Sequence, residues 1–404
     1  MLRGDRPGLY DPEMVARPYE SEVAAAERAL MDRLFSEQGR AHPEAVVRSS
    51  TVPGCRYAFV QQVLHDPRFV APELPPSPDL MFQVVARFMS RLPPDRHRAV
   101  RTLFSGLFTP RRVARFRERV VARVDALLDA FPATGPLELV SALTRPLPFS
   151  VIADVLGVPT NRHTWLATEM DTFGRAVAGQ RDHANVELGN LATARMLEYF
   201  DGEIARRAAQ PQDDLMTLLA GGPTTGEQYD DVLANCLFFI LAGHATTTAL
   251  LSAGVQLLVE QPGALPRLTA EPAVWPTAVE ELLRFVSPAT LTASKALADA
   301  EPDGWPVRAG SQRALVFTAA NRDPDVFSDP EAFDVARTPN PHVAFSAGAH
   351  FCLGAPLARM HAEVALPALF DRLPGLRLVE DPVWLGSVPI RQIASMLVTW
   401  DRNG

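Results

Sequence analysis

One cysteine stands in a context that favours a reactive or metal-binding thiolate. Cys352 follows a loop that contains Gly348 and precedes Gly354, after which helical periodicity begins. The macrodipole and the unpaired N–H groups of a helix N-terminus stabilise a thiolate and lower the pKa of the thiol. The sequence therefore predicts that Cys352 is a nucleophile or a metal ligand. Cys55 and Cys236 have no such context and are interpreted as small buried hydrophobes.

Two pairs of polar residues have the spacing of a helix face, and a run of threonines forms a third candidate. Glu281 and Arg284 stand at i,i+3, and His97 and Arg101 at i,i+4, so each pair shares one face. Taken singly, such pairs are also typical of solvated helix surfaces. Thr246 belongs to a threonine run whose hydroxyls could act chemically or bond back to helix carbonyls.

The elements that must position these residues are mostly helical. Helices are predicted at 20–38, 111–130, 187–209, 226–260, 274–286 and 355–371, and short strands at 43–48, 56–61, 313–317 and 395–399. Proline and turn residues predict irregular segments at 71–78 and 321–341. The helix at 226–260 would span roughly 50 Å, enough to cross a large domain. We therefore expect a mainly α fold with small β-sheets, built as one domain over residues 1–404.

Composition argues against several classes of function. The net charge of −8 does not favour nucleic-acid binding, which needs a basic surface. Three widely spaced cysteines fit neither a disulfide framework nor a multi-cysteine zinc site, and indicate a reducing cytoplasm. The N-terminus has no apolar h-region, so no signal peptide or anchor is expected. The apolar stretch 232–259 carries several polar residues and is interpreted as a buried core helix rather than a membrane span.

The segment around the cysteine resembles a known signature. Phe345, Gly348, His350, Cys352 and Gly354 form F-x-x-G-x-H-x-C-x-G, which closely resembles the haem-binding signature of the cytochrome P450 family. The resemblance implies haem b with Cys352 as the proximal iron ligand. It also implies that the phenylalanine packs on the haem beside the sulfur and that the glycines let the backbone approach the porphyrin. In this family the thiolate pushes electron density toward iron and favours O–O cleavage.

Other motifs occur in the order of that family. Its E-x-x-R helix matches Glu281 and Arg284, and the resemblance adds Arg337 as the third member of a structural brace. It implies that His97 and Arg101, with His350, hold the haem propionates. The segment 242–247 resembles A-G-x-[D/E]-T-[T/S]. There Ala242 and Gly243 would leave room for O2 and substrate, and Thr246 would supply a catalytic hydroxyl.

The sequence departs from the family pattern at two places. Ala245 replaces the acidic residue that usually precedes the threonine. The segment after the E-x-x-R helix lacks the usual arginine, and Ser294 or Lys295 falls near that position. Lys295 either contacts a propionate as a point charge or is a plain surface lysine.

The resemblance implies a monooxygenase that inserts one atom of O2 into a mainly hydrophobic small molecule, in natural-product biosynthesis. No dinucleotide-binding motif follows a predicted strand, so we expect electrons from a separate ferredoxin and reductase, docked by basic residues. By family position, the substrate-pocket candidates are Met81, Phe82, Val85, Met89, Phe173, Val177, Phe239, Ala245, Leu291 and Ile390.

Two other functions remain open. Because Ala245 removes half of the acid–alcohol pair, the chain could instead be a haem-thiolate enzyme for peroxide-driven oxidation, oxidative coupling or rearrangement. The other is a non-catalytic module that has lost its haem, which the intact Cys352, Glu281 and Arg284 argue against. For proton supply three routes stay open: Thr246 with ordered water, a hydroxyl or acid on the substrate itself, or no need for protons because peroxide is the oxidant.

Overall fold

A computed structural model describes residues 52–177, 183–385 and 389–401. The predicted helix at 20–38 and the predicted strand at 43–48 lie outside the described residues. The described chain forms two compact units. The first comprises 70–112, 149–177 and 183–243, and the second 52–69, 113–148, 244–385 and 389–401. The expectation of a single domain stays a prediction.

Helices dominate the described residues, as predicted. They are α1 (Tyr57–His65), α2 (Leu80–Ala86), α3 (Pro94–Ser105), α4 (Pro110–Asp129), α5 (Pro146–Leu156), α6 (His163–Val177), α7 (His183–Ala209), α8 (Leu215–Ala220), α9 (Glu227–Glu260), α10 (Ala264–Ala270), α11 (Trp275–Val286), α12 (Phe317–Ala320) and α13 (Ala355–Arg372). The strands are β1 (Phe69–Val70), β2 (Leu137–Glu138), β3 (Leu291–Ala296), β4 (Gln312–Val316), β5 (Arg377–Leu378), β6 (Val383–Trp384), β7 (Ile393–Ser395) and β8 (Leu397–Thr399).

The long helix α9 is buried along most of its length. Gly226, at φ +77°, precedes it and accepts hydrogen bonds from the N–H groups of Tyr229 and Asp230. Within the described residues this helix alone is long and apolar enough to cross a membrane, yet 67% of its apolar window is buried in protein. That burial is the arrangement of a core helix that is apolar nearly all round.

In the first unit, α9 is bound to the segment around α2 and α3. Asp231, 1% exposed, pairs with Arg87 and Arg96. Asn235 accepts a hydrogen bond from the backbone N–H of Met89 at 2.7 Å. Since a buried carboxylate and amide are stable only when paired, these contacts hold the segment in one register against α9.

Within the described residues the strands form three small sheets, ordered β1-β3-β4, β2-β8-β5 and β6-β7. Strands β3 and β4 pair antiparallel, with Leu291 opposite Val316 and Lys295 opposite Gln312. Buried apolar side chains of α1, β4 and the segment before the cysteine loop form a core cluster that includes Phe59, Leu315 and Val343.

The structure confirms the mainly α fold but contradicts the predicted strand at 56–61. That segment belongs to helix α1, whose buried residues Phe59, Val60 and Val63 lie on one helical face. A six-residue window was too short to distinguish the two periods. The predicted strand at 395–399 is divided into β7 and β8 at Met396, whose backbone N–H donates to Glu138 and whose C=O accepts from Leu139.

Candidate functional site

Cys352 lies in the second unit, on a short loop that ends at the start of α13. Its backbone N–H donates to Phe345 C=O at 2.9 Å, which closes the loop. The side chain is partly exposed, and α13 begins three residues later at Ala355. Each of the three cysteines lies in the described ranges and none is in a disulfide. The thiol is therefore placed where the helix N-terminus favours its ionised form.

Glycine is required at position 348 of this loop for two reasons. Gly348 adopts φ +61°, a conformation that side chains other than glycine rarely adopt. A Cβ atom there would lie 2.1 Å from the backbone oxygen of Leu64 in α1. The loop can consequently pack directly against α1, and this contact fixes the path of the backbone that leads to Cys352. His350 lies in the adjacent single-turn helix Gly348–His350 and is exposed.

Two phenylalanines and an arginine form a cluster at the cysteine loop. Phe345 is 9% exposed, and the guanidinium of Arg359 lies 4.6 Å from its ring centroid. Phe351 contacts Phe345 edge-on at 6.4 Å and is 42% exposed. The pKa of Arg359 is raised, first by its hydrogen bond to Glu280 and also by the negative charge of Cys352. Arg359 therefore stays positively charged at ordinary pH and interacts electrostatically with Cys352.

Glu281 is the centre of a buried network. The carboxylate, 0% exposed, accepts two hydrogen bonds of 2.7 Å from Arg284 and two of 3.1 Å from Arg337. Asn340 Nδ2 and the Asp334 backbone N–H also donate to it, at 3.1 and 3.0 Å. The structure thus brings together the three residues of the predicted brace. It adds Asn340, which sequence reasoning missed because an isolated asparagine in a turn-rich segment has many local uses.

The arginines of this network bind the irregular segment 321–341 to α11. Arg284 Nη1 donates to the carbonyls of Asn321 and Pro330, and Arg337 Nη1 donates to that of Ser328. Asn321 in turn accepts from the backbone N–H of Val343, two residues before Phe345, at 2.7 Å. The network therefore specifies the path of the chain into the cysteine loop.

A second network, not expected from the sequence, joins α11 to α13. Glu280 accepts hydrogen bonds from Arg359 Nε at 2.6 Å and Nη2 at 2.8 Å, and from His342 Nε2 at 3.1 Å. Burial alone would raise the pKa of Glu280, but the hydrogen bonds from Arg359 and His342 outweigh it and lower the pKa to about 2. The sequence feature that could have indicated this network is the tandem Glu280-Glu281, because two adjacent carboxylates on a helix face different directions and need different partners.

The segment around Thr246 lies in α9. Ala245 is 8% exposed, and its backbone oxygen accepts a hydrogen bond of 2.9 Å from Gln392 Nε2. Burial first, and then the positive charge of Arg145, lower the pKa of His244 to about 4. Near neutral pH this imidazole is therefore uncharged. The sequence offered no signal for Gln392.

The remaining candidates of the second unit lie on or beside β3. Leu291 and Lys295, four residues apart, point to the same face of this strand, and Lys295 is partly exposed. Ile390 lies in a bridge to Ala289, immediately before β3. This bridge places the backbone of Ile390 beside the segment that leads into β3, two residues before Leu291.

The first unit holds the other predicted haem contacts. His97 and Arg101 lie four residues apart on α3, with His97 6% exposed and Arg101 partly exposed. Ala242 and Gly243 lie in α9, and a Cβ atom on Gly243 would lie 3.2 Å from Ile152 Cγ1. The missing side chain at Gly243 therefore lets α5 approach α9.

The pocket candidates of this unit are mostly buried. Phe173 and Met81 are 0% exposed, and Phe239, 8% exposed, stacks on Phe104 with ring centroids 4.5 Å apart. Their environments are apolar, which suits either core packing or contact with an apolar ligand. The others are Phe82, partly exposed, and the buried Val85, Met89 and Val177.

Comparisons with known proteins point to one family. The family model "Cytochrome P450" matches residues 193–373. The chain is 34% identical to the "Biotin biosynthesis cytochrome P450" of Bacillus subtilis (strain 168), over 80% of this chain and 83% of that protein. It is 37% identical to "Nocardicin C N-oxygenase" of Nocardia uniformis subsp. tsuyamanensis, over 85% and 88%. The crystal structure of P450BioI with an acyl carrier protein ligated to hexadec-9Z-enoic acid matches with a TM-score of 0.80 at 32% identity, covering 86% of this chain and 91% of that one.

The chain belongs to the cytochrome P450 family. It is a haem b oxidoreductase of the monooxygenase type, with relatives in secondary metabolism. The second unit fits the cofactor, because a porphyrin supplies four nitrogen ligands and the protein needs to add one thiolate. Cys352 presents a partly exposed sulfur, and Gly354 leaves the space beside it open, since a Cβ there would lie 3.9 Å from Sγ.

Proposed function

We propose that Cys352 is the proximal haem ligand of a monooxygenase that inserts one oxygen atom from O2 into a mainly hydrophobic small molecule. The single observation that carries this proposal is the Cys352 thiol on its closed loop at the N-terminus of α13. Haem held by a cysteine thiolate supplies O–O bond cleavage, because the thiolate pushes electron density toward the iron. The helix N-terminus favours an ionised sulfur, and the positive charge of Arg359 interacts favourably with it.

The experiment is a replacement of the ligand. Cys352→His is expected to abolish the red-shifted Soret band of the reduced carbon monoxide adduct, because that band reports thiolate coordination of the iron. Cys236→Ala is the matched control, because Cys236 is 0% exposed in α9 and is expected to leave the band in place. A red-shifted band in Cys352→His would show that another residue is the ligand.

The haem propionates would be held by side chains that carry positive charge or donate hydrogen bonds. His97 and Arg101 on α3, together with His350 and Lys295, are the proposed donors. Charge-assisted hydrogen bonds to carboxylates are about twice as strong as neutral ones, which favours these residue types for the role. Lys295 contributes a point charge where an arginine would offer a planar fork.

Electrons are proposed to come from a separate ferredoxin and reductase. Exposed arginines near the start of α4 and on α3 offer positive charge to an acidic partner, and they are Arg98, Arg111 and Arg115. Arg112 lies 3.8 Å from Asp213 and Arg98 lies 3.6 Å from Asp95, so both carry weak ion pairs. Arg359 is only partly exposed and donates to Glu280 at 2.6 Å, which makes it a weaker docking candidate.

The hydroxyl of Thr246 is proposed to relay protons together with ordered water. Where the substrate carries a hydroxyl or acid, that group would assist. A second candidate function, peroxide-driven oxidation or oxidative coupling, is favoured by Ala245, which has no carboxylate to relay protons. Turnover with hydrogen peroxide that matches turnover with ferredoxin, reductase and O2 would favour the second candidate.

The substrate class follows from the apolar candidates and from the relatives. Relatives named "Nocardicin C N-oxygenase" and "Pentalenic acid synthase" support a role in natural-product biosynthesis. Leu291, Ile390 and Phe239 would offer apolar contacts to such a molecule. We also propose one functional domain over the chain and a cytoplasmic location, which the three cysteines outside disulfides favour.

A further inference from the structure

Gln392 connects the C-terminal part of the second unit to α9. Its Nε2 donates to the backbone oxygen of Ala245 at 2.9 Å, between residues 147 positions apart. The backbone around it is held on both sides, because Gln392 C=O accepts from Leu385 N–H and Arg391 N–H donates to Pro288 C=O, each at 2.9 Å. The amide is therefore presented to α9 by a fixed segment.

The chemistry of this contact suits the ordering of water. A backbone oxygen has two lone pairs, and in an α-helix the N–H four residues later uses one of them, so Gln392 can occupy the other. The carboxamide still has an acceptor oxygen and a second N–H. It does not ionise at any ordinary pH, so it can hold a water molecule without exchanging a proton itself.

We propose that Gln392 is a positioning residue for proton delivery at Thr246, in place of the carboxylate that position 245 lacks. The proposal rests on the proposed role of Thr246. The amide fixes the backbone carbonyl that precedes Thr246 and holds a water that hydrogen-bonds to Thr246 Oγ1. Protons come from solvent and pass along water and the hydroxyl, and the amide carries the same protons before and after turnover.

His244 does not replace the missing acid. Burial first and Arg145 second lower its pKa to about 4, so near pH 7 the imidazole carries no extra proton to donate. The amide of Gln392, by contrast, is polar at every ordinary pH and hydrogen-bonds directly to this turn of α9.

The test uses the haem-loaded enzyme with a ferredoxin, its reductase and O2, without organic substrate. Under these conditions O2 takes either two electrons and two protons to give hydrogen peroxide, or four of each to give two waters. The measured quantity is the peroxide released per nicotinamide oxidised. Gln392→Met keeps the length of the side chain but removes the amide, and it is expected to raise this ratio severalfold, towards one-to-one.

Three further variants make the result specific. Gln392→Asn keeps an amide but retracts it by one methylene, and a smaller rise is expected. Gln256→Met is the matched control, because the Gln256 amide is exposed and bonds Glu260 at 2.9 Å, and no change is expected. Adding Ala245→Asp to Gln392→Met is expected to lower the ratio again. As a readout apart from turnover, hydrogen exchange of the backbone amides at 245–249 is expected to accelerate in Gln392→Met.

The outcomes separate this inference from the proposed function. If Thr246→Ala raises the ratio while Gln392→Met and Gln392→Asn keep the wild-type value, the role of Gln392 is refuted and that of Thr246 stands. If Thr246→Ala leaves the ratio unchanged, the proposed role of Thr246 fails and the inference fails with it. Faster hydrogen exchange with an unchanged ratio would make Gln392 purely structural, which also refutes the inference. Should Gln392→Met not fold, Gln392→Asn decides.

Discussion

Replacing Glu281 by glutamine should be among the most destabilising conservative changes in this chain. The carboxylate accepts from Arg284, Arg337, Asn340 and the Asp334 backbone N–H, all at 2.7–3.1 Å, and it is 0% exposed. Glutamine turns one acceptor oxygen into an NH2 donor that faces other donors, and it leaves two guanidinium charges without a counter-charge. Breaking a buried ion pair from one side typically costs about 3–5 kcal/mol.

The assay is urea unfolding of the haem-loaded protein, followed by both the Soret band and far-ultraviolet circular dichroism, with linear extrapolation to zero urea. Asp401→Asn is the matched control, because it breaks the ion pair between Arg377 and Asp401. That pair has a similar N–O distance, 2.9 Å, but its side chains are 53% and 66% exposed. Such surface pairs contribute at most about 1 kcal/mol. The free energy of unfolding should therefore fall several times more in Glu281→Gln than in the control.

The same variant should also lose part of the red-shifted Soret band of the carbon monoxide adduct, because the network guides the chain into the cysteine loop through Asn321 and Val343. A cost no larger than that of Asp401→Asn would refute the reasoning. So would a large cost with the cysteine environment unchanged, because it would separate the network from the loop.

Three other predictions address the second network, proton delivery and docking. Because the folded pKa of Glu280, about 2, lies below its ordinary value of 4.5, its stabilising contribution is complete above about pH 4.5 and is lost as the pH falls toward 2. Glu280→Gln should therefore lower the free energy of unfolding near pH 7 and flatten its dependence on pH between 4.5 and 2; equal slopes would contradict this. In Thr246→Ala, more of the electrons that ferredoxin supplies should end in hydrogen peroxide, so product formed per nicotinamide oxidised should fall. Turnover driven by added peroxide should be less affected. Rising ionic strength should slow reduction by ferredoxin, and Arg115→Gln should weaken that dependence, since screening acts on exposed charges; a rate insensitive to salt would exclude electrostatic docking through these arginines.

Much of the molecule could be predicted because the relevant signals are local. The period of apolar residues indicated α9, α11 and α13 to within two residues at each end. The glycines and the cysteine of the loop at 345–354 indicated a thiolate at a helix N-terminus, and the loop has that conformation. The spacing of Glu281 and Arg284 placed both on one face of α11, where they pair. Each of these features depends on residues fewer than about ten positions apart or on one repeating period.

The strand predicted at 56–61 shows where local signals fail. Tyr57 and Phe59 alternate with smaller residues as in a strand, while Phe59, Val60 and Val63 fit one face of a helix. The helix forms because all three of these side chains are then buried in the cluster with Leu315 and Val343, which lie far along the chain. Tertiary packing, absent from a short window, decided between two patterns of similar strength.

The amino-acid sequence by itself determined the family, the loop that carries Cys352 and the helices that flank it, because those follow from residue types at fixed short spacings. Only the tertiary structure decided which carboxylate Arg359 and His342 would share, and that the amide of Gln392 would reach the carbonyl of Ala245. These partners are 62 to 147 residues apart. Their pairing depends on how the packed elements bring distant backbone segments within about 3 Å, the range in which a hydrogen bond forms, and no local pattern encodes that distance.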